Sequence, residues 1–282
     1  MPELPEVETL RRSLATCLEG QVIDGLQIIQ PSVLLPDSRD YALILPGQAI
    51  VSFGRRGKYL LLELSHGQQL IIHLRMTGRL LWYVKGAPPV LHTHVVLNFQ
   101  SGGQLHFQDV RRFGRWWLTE GRELEGIPGL TGLASLGPEP IDEDFSAQVL
   151  AQRLARRAKA KIKNALLDQQ VVAGLGNIYV DEALFIAGIH PLRPAGSLTA
   201  GELEGLASAC RQVLLASIVN RGTSFRDYVD ALDQMGNNQK YLQVYQREGE
   251  PCRRCGSELR RIKVGGRSSF FCADCQKESL PF

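Results

Sequence analysis

Four cysteines near the C-terminus constrain this chain more than any other stretch. Cys252-x2-Cys255 and Cys272-x2-Cys275 form two close pairs separated by sixteen residues. Two such knuckles supply four thiolates for tetrahedral zinc, and with no coordination position left open the metal is structural. The module is too short to bury a core of its own, so the metal would organise a small β-hairpin between the knuckles. A redox dithiol pair is the competing reading, and the doubled spacing weighs against it. Between the knuckles lie Arg260, Arg261, Lys263 and Arg267, with Gly265-Gly266 as a turn. A basic, zinc-pinned hairpin suits a phosphate clamp or groove reader, unless its arginines only solubilise the module. Cys17 and Cys210 stand apart and read as small buried hydrophobes. A soluble, cytoplasmic protein is expected, and in a reducing compartment the paired spacing reads as metal ligation rather than disulfides. No apolar stretch approaches a membrane span, and the N-terminus lacks a signal peptide's charged-then-apolar order.

At 282 residues and 44% hydrophobic content the chain suffices for two domains and an appended module. Val7, Leu10, Leu14, Cys17 and Leu18 recur at helical spacing with Arg11 and Arg12 opposite, and Gly20 ends that helix. Residues 21–118 read as strands at 22–30, 49–53, 59–65, 68–74, 79–83, 94–99, 104–107 and 115–118. No helix intervenes, so an antiparallel sandwich or flattened barrel is expected. Residues 126–142, rich in Gly and Pro, read as a linker. Helical periodicity follows near 145–157, 161–169, 178–187 and 199–220. The fold class is therefore α+β: an N-terminal antiparallel β-sandwich with an N-terminal helix (1–125), a linker (126–142), a helical domain (143–244) and a zinc module (245–282). Residues 221–240 make a polar stretch, long for a loop, which in a compact domain is functional or disordered.

The net charge of +3 does not by itself identify a nucleic-acid binder, but its distribution says more. Arg153, Arg156, Arg157, Lys159, Lys161 and Lys163 fall within eleven residues free of acids, while Glu120, Glu123, Glu125, Glu139, Asp142, Glu143 and Asp144 make the middle acidic. The basic run is either a solvated helix face or a phosphate-binding stripe. Just after it, Gly174-Leu175-Gly176-Asn177 makes a turn in which Asn177 caps a new helix, with Asp181 and Glu182 near its start. Such a start binds phosphate well, although ordinary αα-hairpins use the same turn.

At the other end stands Met1-Pro2-Glu3. If Met1 is trimmed, Pro2 becomes a free secondary amine with a pKa near ~8, nucleophilic at neutral pH. Glu3 beside it can exchange a proton. Many proteins simply begin Met-Pro, so this stretch alone decides nothing. In the sheet region, Lys58 follows a Gly-Arg-Arg-Gly turn, His73-Leu74-Arg75-Met76-Thr77-Gly78 ends a strand, and Asp109-Val110-Arg111-Arg112-Phe113-Gly114 forms a loop. A Met or Phe at a loop tip is often a core plug and a lone His73 is often a satisfied structural histidine; an apolar wedge beside an arginine is also what base extrusion requires.

On these motifs, in this order along the whole chain, the sequence resembles the formamidopyrimidine-DNA glycosylases, the bacterial type that excises 8-oxoguanine. The resemblance implies a bifunctional glycosylase and lyase acting as a monomer on double-stranded DNA with oxidised purines, and carrying one structural Zn2+. It implies that Pro2 is the nucleophile at C1′, Glu3 the proton donor and acceptor, and Lys58 the proton donor for β-elimination. Arg267 on the finger joins the catalytic set. His92, Arg111, Asn177 and Arg267 would bind DNA, Met76, Arg111 and Phe113 would fill the void left by the flipped base, and Lys163 and His73 would be further DNA contacts. The sister endonuclease VIII type shares the Pro-Glu start, but Leu4, Met76 and Phe113 favour the purine branch. The zinc ligands are Cys252, Cys255, Cys272 and Cys275. Two other readings remain: a zinc-dependent DNA-binding protein that lost its chemistry, against which Pro2, Glu3 and Lys58 speak, and a zinc-ribbon module joined to an unrelated β domain, which would have no use for the wedge residues.

Overall fold

The computed structural model describes residues 1–121, 127, 129–225 and 228–278. Glu123 and Glu125 of the acidic middle, positions 126 and 128 of the expected linker, Arg226 and Asp227 of the long loop, and 279–282 lie outside the described residues. The chain forms two compact units, Met1–Ser135 with Asn220–Gln239, and Leu136–Val219 with Lys240–Phe282.

The first unit opens with α1 (Leu4–Leu18), then β1 (Ile23–Ile28), β2 (Leu34–Leu35), α2 (Ser38–Ile44), β3 (Ile50–Arg56), β4 (Tyr59–Leu64), β5 (Gln68–His73), β6 (Gly78–Tyr83), β7 (Thr93–Phe99), β8 (Gln104–Asp109), β9 (Arg115–Glu120) and the short α3 (Thr131–Ala134). Four strands pair in the order β1-β7-β8-β6 and five in the order β2-β9-β5-β4-β3. All eight strands expected from sequence form, each within a few residues of its expected limits. The ladders are antiparallel except β2 with β9, a two-residue parallel pair. β2 and α2 depart from the expected run of strands, because two residues carry no period and seven make under two helical turns. Leu60, Leu62 and Leu64, alternate residues of β4, are buried in one cluster with Leu70 and Ile72 of β5, Val95 and Leu97 of β7, and Val7, Leu10, Leu14 and Leu18 of α1. The helix thus lays its apolar stripe on the sandwich core, each buried leucine contributing roughly 1.5–3 kcal/mol. That anchorage holds the N-terminus in place, as a reactive terminus requires.

The second unit contains α4 (Ala147–Ala155), α5 (Ile162–Leu167), α6 (Asn177–Ile186), α7 (Ala200–Val219) and a hairpin of β10 (Leu259–Val264) and β11 (Arg267–Cys272). The four helices match the expected four. The finger is no separate body: Phe185 of α6 joins Val244, Cys252, Leu259, Phe270 and Cys272 in one buried cluster. The long loop departs from its expected place in the helical domain. Residues 220–239 pack in the first unit, where Ala231 N–H donates to Ser13 Oγ at 3.2 Å and Ala231 O accepts from Trp82 N–H at 2.8 Å. Composition gives no sign of such long-range backbone bonds. Among the described residues no helix is long and apolar enough to cross a membrane.

Candidate active site

Pro2 is buried and Glu3 is 3% exposed, while Met1 ahead of them is 54% exposed. Glu3 is the N-cap of α1, in a capping box with Glu6: Glu3 N–H donates to Glu6 Oε2 at 2.8 Å. Pro5 stands in the first turn, where a missing N–H costs nothing. The other oxygen of the same carboxylate, Glu6 Oε1, accepts from Thr223 N–H at 2.8 Å. A single buried carboxylate therefore holds the N-terminal segment and the 220–239 loop together. Gly222 has φ +81°, and a Cβ there would stand 3.0 Å from Glu6 Oε1 and from the Tyr228 ring, so only glycine passes between them.

Lys58, 6% exposed, sits at the turn between β3 and β4. Arg55 ties that turn to α1: its Nε donates to Glu8 Oε2 at 3.1 Å and its Nη1 to Gly57 O at 3.0 Å. Arg11 and Arg12 also donate to the Glu8 carboxylate. Burial pushes Glu8 up, but its hydrogen bonds to Arg11 and Arg12 and the charges of Arg11 and Arg55 outweigh it and bring the carboxyl down to about 2. Sequence reading missed Glu6, Glu8 and Arg55 as placing residues. Three glutamates in the first turns of α1, only one needed as the proton carrier, were the available signal.

The loops after β5 and β8 meet at a protruding cluster. Arg111 Nη1–H donates to Met76 Sδ at 2.9 Å, and the Arg111 guanidinium lies 4.7 Å from the Phe113 ring centroid. Met76 is 40% and Phe113 47% exposed, so neither plugs the core and the expected trio assembles at the surface. Asp109, fully buried, braces it from beneath. Asp109 Oδ1 accepts from Thr77 Oγ1–H and from Arg111 N–H at 3.2 Å, and Oδ2 accepts from Gly114 N–H at 2.7 Å. Its own N–H donates to His92 O at 3.0 Å, bringing His92 to the same edge. Arg75, His92 and Arg112 hold φ of +56°, +68° and +55°, a region costly for side-chain-bearing residues that gathers at functional sites.

His73 differs from expectation. It is 6% exposed, stacked edge-on against Tyr59 at 4.5 Å, and its Nδ1 accepts from Arg75 N–H at 2.9 Å. Burial first, then the charges of Arg75 and Lys58, push its pKa down to about 3. A buried, neutral ring that shapes the turn before Met76 stands where a DNA contact was expected.

In the second unit the Gly265-Gly266 turn forms as read, with φ of +57° and +78° at its two central residues, matching the twist of the hairpin. Arg267 is exposed beside it. A Cβ on Gly265 would lie 2.5 Å from Asn164 Oδ1, so the turn abuts α5. Gly176, not Asn177, is the N-cap of α6. The Asn177 amide instead donates Nδ2–H to Ser268 O at 3.0 Å and reaches Tyr245 Oη at 3.4 Å. Lys163 is also corrected. Its side chain is fully buried, with Nζ 2.8 Å from Asp181 Oδ1 and 2.7 Å from Ser268 O, so it cannot reach a duplex. Asp181 and Glu182 do not merely face the helix dipole: Asp181 accepts from Ser269 Oγ–H and Phe270 N–H, and Glu182 from the N–H groups of Gln243, Val244 and Tyr245. Burial pushes Asp181 up to about 6 against the pull of these donors.

The four sulfurs of Cys252, Cys255, Cys272 and Cys275 lie within 4.8 Å of one another. The Cys252–Cys275 and Cys255–Cys272 separations are 3.9 and 3.4 Å, too long for disulfides and close to the ~3.8 Å edge that a zinc tetrahedron with ~2.3 Å bonds demands. The donor set fits one structural zinc, which the four cysteines hold.

A capped N-terminus on a β-sandwich, an exposed Met-Arg-Phe cluster and a zinc finger seated on helices define a DNA-binding protein equipped to extrude a base. Comparison with known proteins narrows the class. The model of the formamidopyrimidine-DNA glycosylase N-terminal domain matches residues 1–116, that of the formamidopyrimidine-DNA glycosylase H2TH domain residues 136–228, and that of the zinc finger found in FPG and IleRS residues 249–277. The formamidopyrimidine-DNA glycosylase of Pelotomaculum thermopropionicum is 49% identical over 98% of this chain and 99% of its own. That of Moorella thermoacetica is 51% identical over 93% and 95%. A Lactococcus lactis FPG variant in complex with a Fapy-dG containing DNA superposes with a TM-score of 0.91 at 40% identity, over 98% of this chain and 100% of the other. MutM in complex with carbocyclic 8-oxo-G containing DNA gives 0.89, also at 40% identity and the same coverage. The chain belongs to the formamidopyrimidine-DNA glycosylase family.

Proposed function

We propose that this protein removes oxidised purines, 8-oxoguanine and formamidopyrimidines, from duplex DNA and then cuts the strand at the abasic site, as a monomer in the cytoplasm. The observation that carries the reading is the protruding Met76–Arg111–Phe113 cluster on the same unit as the capped Pro2-Glu3 terminus. Extruding a base costs a few kcal/mol of stacking, and an apolar wedge with an adjacent arginine offsets it by filling the gap and bonding the orphaned partner. Solved relatives of 40% identity hold DNA with Fapy-dG or with an abasic site.

Removal of Met1 turns the Pro2 nitrogen from an amide into a secondary amine. That nitrogen attacks C1′ of the extruded nucleotide, the glycosidic bond breaks toward the base, and Glu3 delivers a proton as the sugar ring opens. The amine's own proton passes to the departing base, whose nitrogen took the glycosidic electron pair, and ring opening leaves an iminium between Pro2 N and C1′. The cation acidifies C2′; loss of that proton expels the 3′ phosphate, and a second elimination expels the 5′ phosphate. Lys58, held near α1 through Arg55 and Glu8, supplies a proton for the first elimination. Water in place of the amine would stop at the abasic site, so the nucleophile decides the lyase activity. Incubation with an 8-oxoguanine·cytosine duplex tests the reading: a one-nucleotide gap with phosphate at both ends is expected. Binding without strand cleavage would leave the DNA-binding reading in its place.

A further inference from the structure

The buried pair Lys163–Asp181 has no part in the chemistry above. It is completely shielded, and both of its members bond the finger. Ser268 O accepts from Lys163 Nζ at 2.7 Å and from Asn177 Nδ2 at 3.0 Å. Asp181, one turn after Asn177 on α6, takes Ser269 Oγ–H at 2.8 Å and Phe270 N–H at 3.0 Å. Three consecutive residues of β11, 268–270, are thus bonded by two side chains whose charges need each other. The residue immediately before them is Arg267. Behind them the Gly265 turn touches Asn164, the neighbour of Lys163.

We propose that Lys163 and Asp181 are positioning residues: their ion pair fixes where β11 leaves its turn, and so fixes Arg267 and Asn177 as one phosphate-gripping unit. The proposal rests on the reading of Arg267 as a DNA contact. A buried pair is a poor source of stability, since a well-packed apolar pair does as well, but it tolerates only one geometry, and geometry is what a backbone clamp needs. Asn177 makes the same point, because its amide N–H is spent on the residue next to Arg267 rather than on capping α6.

The test compares Arg267→Ala, the charge-neutral double variant Lys163→Met/Asp181→Asn, and all three substitutions together, with zinc content checked in each. The readouts are binding to a duplex bearing a non-cleavable abasic analogue across a salt series and single-turnover excision of 8-oxoguanine. Each lost phosphate contact lowers the log–log salt slope by about 0.9. The double variant changes no net charge, so its slope should fall as in Arg267→Ala, excision should slow by about ten- to a hundredfold, and the triple variant should be no worse than Arg267→Ala. A parent-like slope in the double variant, or losses that multiply in the triple, overturns the proposal. If the double variant loses zinc, Ser269→Ala takes its place: it removes one bond to Asp181 and leaves both charges. A lower slope and slower excision are then expected, and parent-like values of both overturn the proposal. A parent that neither binds nor cuts the duplex, or an Arg267→Ala variant equal to the parent, would instead refute the functional reading on which the inference rests.

Discussion

Lys163 and His73, expected as DNA contacts, are both buried. The four paired cysteines come together as their spacing foretold, and Met76, Arg111 and Phe113 gather at the surface. Lys163 and His73 carry equally suggestive types, but a sequence does not say which side of a turn a side chain occupies. For His73 the consequence is measurable. Its folded pKa of about 3 lies below the unfolded value of ~6.5, so the unfolded chain takes up a proton first as pH falls. Its contribution is complete above pH ~6.5 and is lost toward pH 3; His106 and His190, also pushed down by burial, add in the same sense. Glu8, depressed to about 2, contributes fully above pH ~4.5 and loses its contribution below. Asp181, raised to about 6, offsets part of this as pH falls toward its unfolded value of 3.8, so urea unfolding between pH 8 and 4 tests the histidine by difference: stability should fall less steeply below about 6.5 in His73→Asn than in the parent. An identical fall in that variant would show His73 to be protonated in the fold.

At the scale of elements, periodicity sufficed where a stripe or an alternation exists, as in α1 and β4, while β5, β7, β9 and α6 are buried almost continuously and were legible as apolar runs between turn residues. It failed where contacts outrank local pattern, as in two-residue β2 and in the 220–239 loop hung on Glu6, Ser13 and Trp82. The turn after β8 is a third case, since only the structure reveals that Asp109 bonds both its limbs. Asp109→Ala leaves the buried Gly114 N–H without its acceptor, while Arg111 N–H keeps only Thr77 Oγ1 at 3.2 Å, and should cost about 1–3 kcal/mol in denaturant unfolding. Single-turnover excision should fall by more than stability alone explains, because Arg111 and Phe113 lose their common base; unchanged excision would mean that the cluster does not depend on the brace. Gly222→Ala should slow excision in the same assay and also lower the thermal unfolding temperature, since alanine at φ +81° is strained by about 1–2 kcal/mol and its Cβ would push the loop from Glu6.

At the scale of the molecule, metal and nucleophile belong to different units. Trp82, Trp116 and Trp117 all lie in the first, and all four zinc ligands in the second. Chelation should therefore release one zinc per chain and abolish excision while tryptophan fluorescence stays native; a shift of that emission on chelation would show that the sandwich needs the metal. What unites the scales is one nitrogen. The helix cap, the core beneath α1 and the Glu6 bond to the loop hold the segment that carries Pro2, the proposed nucleophile. Reaction of the purified protein with an 8-oxoguanine duplex in the presence of borohydride, followed by mass mapping of the adduct, tests this most directly. The account predicts a covalent product on the nitrogen of Pro2, with Met1 absent. An adduct on a lysine, in the parent or in Pro2→Gly, would contradict it.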